Sequence, residues 1–458
     1  MEHRIKKHRS PDLFNHIVRN WVRGRLVRIS VVSLLTIYLT SCEGNPHHPL
    51  PEYDESLYMN IGGWDMPNDA KKMQDLASAG FTILLPHNGH MDFATDPAKA
   101  SEYLDNALAA GLKVVIRDSD FGEHVWDSAL GGHTNYKPAD DKNVHLYKDH
   151  PAFYGIGIAD EPQREQFDMT RRKLEDLRAT FPQDKIGFVN ICQFRTNFYI
   201  DFVDEFMTTV KPSFLSYDDY AMMKDGSIRP SYLRIMLFIK SKAQQYGVPA
   251  HQFILSVGHK GESWYRSPSV EDLRWQIACL MTYGYEWFSH FNCDRLDDTY
   301  EAMWDDGRNT NALYERIKTA NLEVHAWDHV YMSFLNGWEG VAPITGSNGN
   351  QDVFFTELLN CNFGNLQVSQ MTGIKSIVSN ENMLLGAFKD KNGNKGFMAT
   401  NATNPFNKKN AEATIIFEKS YRRVQVYEFG KPKIYKLDKN QSIILKLSPG
   451  EGKFLIPF

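Results

Sequence analysis

Two adjacent acidic residues, Asp160 and Glu161, directly follow the apolar run Phe153–Ala159 and precede Pro162. Paired carboxylates suit general acid–base chemistry, in which one group donates a proton to a leaving atom while a second accepts or stabilises charge. Acidic residues are also favoured in the first turn of a helix, and taken alone the pair is better explained in that way. The position of this strand within the fold therefore decides what the two carboxylates do.

The chain around this pair alternates short apolar runs with segments of helical periodicity, which is typical of a parallel α/β fold. Eight strands are predicted, at Leu57–Gly62, Phe81–Leu85, Lys113–Arg117, Phe153–Ala159, Ile186–Ile191, Ser213–Tyr217, Phe253–Val257 and Tyr285–Phe291. Helices are predicted at Asn68–Ala79, Pro97–Ala110, Gln163–Thr180, Ser231–Tyr246, Ser269–Tyr283 and Asn311–Val324, with Asn68 and Ser269 as amino-terminal caps.

Eight such units over about 270 residues predict a (β/α)₈ TIM barrel. An open doubly wound sheet is the main alternative, but its first strand usually leads into a glycine-rich phosphate loop, and Gly62-Gly63-Trp64-Asp65-Met66 does not match one. Short strand-like runs and an Asn392-Gly393 hairpin signal follow. The predicted fold class is therefore α/β, with a barrel over residues 57–335 and a smaller C-terminal β-sandwich domain over 336–458.

Active sites of such barrels lie at the carboxyl ends of the strands, so Glu161 is expected there on the fourth strand. Hydrolysis of a glycosidic bond needs a carboxylic acid that protonates the leaving oxygen and a second carboxylate across the bond. The Asp-Glu-Pro sequence resembles the Asn-Glu-Pro signature of clan A retaining glycoside hydrolases, which are (β/α)₈ barrels. The resemblance implies that Glu161 is the acid/base and that Asp160 contacts the sugar. An ionised Asp cannot donate a hydrogen bond as the Asn of that family does.

The second carboxylate has two candidates. The resemblance places a nucleophilic Glu at the end of the seventh strand, where Glu262 follows at a distance and fits a solvated loop acid equally well. Asp218, just past the sixth strand, is the other candidate, and Tyr217 could orient the carboxylate. A gap between carboxyl groups of about 5–5.5 Å would give retention and one of about 6.5–9.5 Å inversion, which the sequence leaves open.

Polar and aromatic residues near the strand ends are candidates for sugar binding, although packing is the more common role for any one aromatic. The candidates are Asn60, Trp64, His87, Asn88, Arg117, Asp160, Asn190, Tyr217, Tyr220, Trp264 and Asn292. Trp287 and Cys192 are interpreted as buried packing residues.

The amino terminus has the features of an export signal. Eight Lys and Arg residues precede an apolar stretch that ends in Leu39-Thr40-Ser41-Cys42. This tetrapeptide resembles the lipobox of bacterial lipoproteins, in which Cys42 would be lipidated. A signal peptide over residues 1–41, a tether over 42–56 and a lipid anchor to the cell envelope, at the outer membrane or cell surface, are therefore expected. An ordinary cleaved signal or a single anchor helix is the alternative.

The expected function is that of a glycoside hydrolase acting on O-glycosidic bonds of a poly- or oligosaccharide, without a cofactor. A non-catalytic glycan-binding barrel is the alternative, since no Glu directly closes the seventh strand. Metal catalysis is disfavoured because the two histidines His87 and His90 form only a loop pair. A net charge of −5, more negative once residues 1–41 are removed, argues against nucleic acid as a partner.

Overall fold

The computed structural model describes residues 53–85, 91–121, 143–181, 185–192, 199–259, 264–294, 300–349, 352–428 and 432–458 of the 458-residue chain. Among these residues no helix is both long enough and apolar enough to cross a bilayer.

The first part of the fold is a closed barrel of eight parallel strands, which confirms the predicted (β/α)₈ architecture. Each strand pairs with its neighbour in sequence, and β1 closes the ring by pairing with β8. The strands are β1 (Asn60–Trp64), β2 (Ile83–Leu85), β3 (Lys113–Ile116), β4 (Phe153–Asp160), β5 (Ile186–Cys192), β6 (Leu215–Asp218), β7 (Ala250–Leu255) and β8 (Trp287–Phe291).

A helix follows each strand, and a further helix, α9, leads out of the barrel. The helices are α1 (Ala70–Ser78), α2 (Pro97–Ala109), α3 (Val144–Tyr147), α4 (Phe167–Thr180), α5 (Tyr199–Thr209), α6 (Tyr232–Tyr246), α7 (Val270–Thr282), α8 (Ala312–His325) and α9 (Asp328–Leu335). Ser269 caps α7 as predicted, since its side chain accepts the amide hydrogen of Asp272. Asp69 caps α1, so the prediction of Asn68 there is wrong.

Side chains alternate along each strand between the barrel interior and the layer beneath the helices. Bulky apolar side chains fill the interior, and Trp287 belongs to them as predicted. This interior cluster includes Ile83, Leu85, Val115, Phe188, Phe253 and Trp287. Because these side chains fill the interior, a ligand of the barrel is expected at the rim formed by the carboxyl ends of the strands.

The second part confirms the predicted β-sandwich: a six-stranded sheet in the order β15-β14-β17-β12-β11-β9 faces a three-stranded sheet in the order β10-β13-β16. The strands are β9 (Trp338–Ile344), β10 (Ile374–Ser379), β11 (Met383–Lys389), β12 (Lys395–Asn401), β13 (Ala411–Phe417), β14 (Arg423–Tyr427), β15 (Lys433–Lys436), β16 (Ser442–Leu447) and β17 (Gly452–Pro457). A helix that the sequence did not predict, α10 (Val353–Leu359), lies between β9 and β10.

Helix α7 joins the two parts. The hydroxyl of Thr282, its last residue, lies 2.7 Å from that of Thr400 in β12. The indole nitrogen of Trp338 in β9 donates to the carbonyl oxygen of Thr282 at 3.1 Å. The barrel wall and the sandwich are therefore in direct contact along one helix.

Candidate active site

Neighbouring strands β4, β5 and β6 bring polar side chains to one arc of the rim. Asp160 ends β4 and pairs in register with Asn190 of β5. Asn190 pairs in turn with Ser216, and Cys192 pairs with Asp218 at the end of β6. Residues two positions apart in a strand share a face, so Asn190 and Cys192 lie on one face of β5, and Ser216 and Asp218 on one face of β6.

The amide of Asn190 links the carboxylates of the two flanking strands. Its nitrogen donates to Asp218 Oδ1 at 2.9 Å and to Asp160 Oδ1 at 3.3 Å. Its oxygen accepts a hydrogen bond from the hydroxyl of Ser216 at 2.7 Å. Because Ser216 holds the oxygen, the amide nitrogen has to face the two carboxylates.

A row of hydrogen-bonded, buried polar side chains holds the Asn190 amide in this orientation. Ser216 Oγ lies 2.8 Å from Nδ1 of His251, and Nε2 of the same ring lies 2.9 Å from Ser289 Oγ. Burial holds the pKa of His251 well below its usual value, so the ring is neutral. Since Ser216 gives its only hydrogen to Asn190, His251 donates from Nδ1 and accepts from Ser289 at Nε2.

Glu161 follows β4 in an unusual backbone conformation. Its φ is +49°, in the left-handed region that non-glycine residues avoid, and its amide donates to the carbonyl of Asn190 at 2.8 Å. A left-handed non-glycine residue costs on the order of 1 kcal/mol or more, and such residues cluster at functional sites.

Burial and mutual repulsion make this cluster hold protons. Burial raises the pKa of Glu161 above its usual value, against a lowering effect of the Cys192 hydrogen bond. The pKa of Asp218 is raised well above its usual value by burial and then by the charges of Glu161 and Asp160. When each of two carboxyls disfavours the charge of the other, the pair tends to carry one proton. One carboxyl is then neutral and the other is negatively charged.

Aromatic rings form one side of the rim beside the cluster. The ring of Tyr220 lies 5.2 Å from that of Phe291 and 5.6 Å from that of Tyr265. Burial, followed by the charges of Asp218, Asp160 and Glu161, raises the pKa of Tyr220 well above its usual value, so its hydroxyl stays protonated. Trp264, two-thirds exposed at 67%, lies on the loop after β7.

A shallow recess that is open to solvent lies on the other side of the cluster. Trp64, Arg117 and Asp160 line it together with apolar residues of the interior cluster. Arg117 Nε donates to Asp92 Oδ2 at 3.2 Å, which ties the guanidinium to the loop after β2. An aromatic face, a cation and a carboxylate around one small recess can hold a polar ring such as a sugar.

The structure places three predicted sugar contacts elsewhere than on the exposed rim. Asn60 begins β1 instead of following it, so it lies at the opposite end of the barrel. Tyr217 is fully buried behind the wall, where its hydroxyl donates to Gln252 Oε1 at 2.7 Å, and it cannot orient a catalytic carboxylate. Asn292 follows β8 but is fully buried, and neither its amide nitrogen nor its amide oxygen has a hydrogen-bond partner among the described residues.

The remaining predicted residues divide into two groups. The structure brings Trp64, Arg117, Asp160, Glu161, Asn190, Asp218 and Tyr220 to the same rim, with Trp264 on a neighbouring loop. Glu262, His87, Asn88 and Cys42 lie outside the described residues. Within the described part of the chain, no three acidic, His or Cys side chains converge in a way that could hold a metal ion.

Sequence reasoning missed Cys192. It was interpreted as a buried packing residue, but it is half-buried and pairs in register with Asp218 at the end of β6. Its position two residues after Asn190 in the same strand was the available signal, because both side chains must then face the same way.

Comparisons with known proteins add information on the fold. No protein-family model and no curated protein matches the chain. Among solved structures, one described as a glycoside hydrolase aligns with a TM-score of 0.51 at 11% identity, covering 87% of this chain and 92% of that one. A Bacteroides fragilis protein provisionally named an α-galactosidase aligns with a TM-score of 0.49 at 11% identity, covering 88% and 79%.

A β-galactosidase from the psychrophilic Marinomonas ef1 aligns over 60% of this chain with a TM-score of 0.43 at 11% identity. The chain spans 62% of the length of that enzyme. At such identities the likeness shows the fold alone, and only the first of the three alignments is close enough to support even that.

Proposed function

We propose that the chain is a glycoside hydrolase that cleaves O-glycosidic bonds of a poly- or oligosaccharide, with Glu161 as general acid and Asp218 as the second carboxylate. One observation carries the proposal: Glu161 follows β4 and Asp218 ends β6 at the carboxyl rim of the barrel, and the pKa values of both are raised there. A raised pKa keeps a carboxyl protonated near neutral pH, as the protonation of a leaving oxygen requires.

The chemistry follows from the roles of the two carboxyls. The protonated Glu161 gives its hydrogen to the glycosidic oxygen while the bond from that oxygen to the anomeric carbon breaks. Because the two carboxyls disfavour each other's charge, the pair carries one proton. When that proton is on Glu161, the ionised Asp218 accepts a proton from water, whose oxygen forms the new bond to the anomeric carbon. Asn190 donates to the carboxylate of Asp218 at 2.9 Å and so stabilises its charged form.

The sugar that is cleaved would occupy the recess lined by Trp64, Arg117 and Asp160. The Trp64 ring is held edge-on against Phe253, with centroids 5.6 Å apart, and offers a rigid aromatic surface. Asp160 accepts hydrogen bonds from sugar hydroxyls in place of the amide that clan A enzymes have there.

The strand positions favour Asp218 as a base that activates water. One strand, β5, separates β4 from β6, so the two backbones lie about 9–10 Å apart, twice the usual strand spacing. Carboxyl groups about 6.5–9.5 Å apart leave room for a water molecule and give inversion, whereas a gap of about 5–5.5 Å gives retention. Proton NMR of the first product anomer tests this: inversion supports Asp218 as the base, and retention moves the role of second carboxylate to another acid such as Glu262.

A panel of oligosaccharides and polysaccharides incubated with the full chain tests the proposed activity. Glu161→Gln and Asp218→Asn should each lower kcat/KM by about 10²–10⁴ on any glycan that the wild type cleaves. Asp438→Asn, at an exposed turn of the sandwich, is the matched control and should keep full activity. Binding by the wild type without turnover on any glycan would contradict the proposal and support a glycan-binding barrel instead.

We further propose that Cys42 carries a lipid that anchors the protein to the cell envelope, at the outer membrane or cell surface. The tetrapeptide that ends in Cys42 supports this placement. Expression in a bacterial host fed with labelled palmitate should label the wild type and leave Cys42→Ala unlabelled. Equal labelling of both would contradict the anchor.

A further inference from the structure

A row of polar side chains crosses the barrel interior one layer below the rim. Its members are Asn190, Ser216, His251 and Ser289, which lie on the successive strands β5 to β8 and are at most 3% exposed. Each contacts the next at 2.7 Å, 2.8 Å and 2.9 Å. The row ends beside Gly62 of β1, where a Cβ atom would come within 2.1 Å of the Ser289 hydroxyl. A glycine at this position therefore leaves room for the last member of the polar row.

The hydrogens of the polar row all point towards the carboxyl cluster. The neutral His251 ring accepts from Ser289 and donates to Ser216, and the Ser216 hydroxyl donates to the oxygen of Asn190. The reverse direction would turn the Asn190 oxygen towards Asp218 Oδ1, which now accepts from the amide nitrogen at 2.9 Å. An ionised carboxylate repels that oxygen because neither group can donate. The direction of the row and the charge of Asp218 therefore depend on each other.

We propose that the polar row is a positioning device for the carboxyl pair: by holding the Asn190 amide nitrogen towards Asp218, it makes Asp218 the ionised member and leaves the proton on Glu161. No proton moves along the row, because its effect is to fix the direction of one amide. The other three members are positioning residues, since they are fully buried behind Asn190. This inference rests on the proposed function for its catalytic meaning.

The groups around Asp218 differ in which form of its carboxyl they favour. Burial raises the pKa of Asp218, the neighbouring carboxylates raise it further, and the hydrogen bond from Asn190 lowers it. Asn190 therefore favours the ionised form, and the direction of its amide decides where the proton lies. The titratable groups that face Asp218 are Asp160 and Glu161 at the end of β4, Cys192 at the end of β5, and Asp219 and Tyr220 after β6.

Loss of the Ser216 hydroxyl should raise the pH at which Asp218 ionises, because the Asn190 oxygen loses its donor and the amide is free to turn. The acid limb of the kcat/KM profile reports ionisation of the base in the free enzyme. In Ser216→Ala this limb should move to higher pH by about 0.5–1 unit, the worth of one hydrogen bond. Ser216→Thr keeps the hydroxyl and should restore the wild-type limb. Ser289→Ala should move the limb in the same direction by a smaller amount.

Ser256, directly after β7, offers a matched control. It is fully buried, and its hydroxyl lies 2.5 Å from Nδ1 of the buried His290, whose Nε2 lies 2.8 Å from Asn321 Oδ1 in α8. This second row of a serine, a histidine and an asparagine leads outward to the helix layer. Ser256→Ala should therefore lose stability much as Ser216→Ala does, while its pH profile stays that of wild type.

The experiment compares wild type and these variants as full-length chains by three measurements. They are the pH profile of kcat/KM on a cleaved glycan, ¹³C NMR titration of the Asp218 carboxyl, and ¹⁵N NMR of the His251 ring, which shows the nitrogen that carries the hydrogen. The inference predicts hydrogen on Nδ1 in wild type, and an Asp218 titration at higher pH in Ser216→Ala but not in Ser216→Thr or Ser256→Ala. Ser289→Ala serves if Ser216→Ala does not fold.

Hydrogen on Nε2 of His251 in wild type overturns the inference. So does an Asp218 titration that is unchanged in folded Ser216→Ala, or that moves equally in Ser256→Ala. The two NMR measurements need no turnover, so they test the polar row even if no glycan is cleaved. Loss of the proposed function and loss of this inference are therefore separate results.

Discussion

At the scale of single residues, the rim holds carboxyl groups where water solvates them poorly. Glu161 and Asp218 have raised pKa values, and Glu161 also has a left-handed backbone. Each of these features lowers the stability of the folded state at neutral pH. These destabilising features occur together at the rim, as is typical of functional sites.

Asp118, just after β3, offers a test of how burial affects carboxyls near this rim. It is fully buried, accepts a hydrogen bond from Tyr147 at 2.9 Å, and has a pKa raised from 3.8 to about 6, chiefly by burial. Its protonated form is favoured by folding, so its contribution to stability is greatest below pH 3.8 and is lost as pH rises to about 6. Asp118→Asn should therefore gain stability relative to wild type between pH 4 and pH 7, by roughly 2 kcal/mol.

Urea unfolding at pH 4, 5, 6 and 7 measures this gain. Asp225→Asn is the control, and the pH dependence of its stability should have the opposite sign, because hydrogen bonds from Ser227 lower the pKa of Asp225. That variant should lose stability relative to wild type as pH rises. A stability difference between Asp118→Asn and wild type that does not change with pH would show that folding leaves the pKa of Asp118 unchanged, which contradicts this account.

The positions of some of these residues could be predicted from the sequence, whereas others were predicted wrongly for a physical reason. Glu161 and Asp218 were predictable because they end strands that the apolar runs located. Asn60 was misplaced because β1 begins there and not at Leu57 as predicted, and Tyr217 because neighbouring residues of a strand face opposite sides of the wall. The left-handed turn at Glu161 and the His251 chain depend on contacts between strands, which local sequence does not contain.

At the scale of elements, α7 is the helix on which the two parts of the molecule meet. Its start was predictable, because Ser269 and Asp272 form a capping box that is visible in sequence. Its contact with the sandwich was not predictable, because the glycines and threonines that meet there carry no periodic signal. Helices α5 and α10 were missed as well, and the seventh strand begins three residues earlier than predicted.

Gly386 in β11 tests the closeness of this contact. A Cβ atom there would lie 2.4 Å from the backbone oxygen of Thr282, which cannot move aside without shifting α7. Gly386→Ala should destabilise the protein by about 1–3 kcal/mol through overpacking. The control, Gly393→Asn, lies in the β11–β12 hairpin with no atom near its would-be Cβ, and Asn tolerates its left-handed φ of +86°.

Thermal and urea unfolding measure both variants. Gly386→Ala should unfold at clearly lower urea concentration than wild type, while Gly393→Asn should change little. Equal stability of Gly386→Ala and wild type would contradict the close packing of β11 against α7.

At the scale of the whole molecule, the sandwich covers part of the barrel wall. The hydroxyl of Thr400 in β12 donates to the carbonyl of Ala278 in α7, and Gly452 of β17 passes close to the Ala278 side chain. The sandwich also reaches the loop after β6, where the side chain of Asn404 donates to the carbonyl of Gly226 at 2.8 Å. The loop that follows Asp218 therefore rests partly on the second domain.

A fragment of residues 53–335 should not fold stably, because it exposes the apolar surface of α7 that the sandwich covers. The full chain should unfold in one cooperative transition in calorimetry and circular dichroism. The fragment should show no such transition and should aggregate or bind hydrophobic dyes. A fragment that unfolds cooperatively at the temperature of the full chain would contradict the structural dependence of the barrel on the sandwich.

The most direct test of Glu161 as proton donor compares leaving groups. On a dinitrophenyl glycoside of the cleaved sugar, whose leaving group departs without a proton, Glu161→Ala should keep a cleavage rate near that of wild type. On the unactivated glycan the same variant should lose about 10²–10⁴ in kcat/KM, and Asp218→Asn should lose activity on both substrates. Equal losses by Glu161→Ala on both substrates, or full activity on the unactivated glycan, would contradict the role of Glu161 as the general acid.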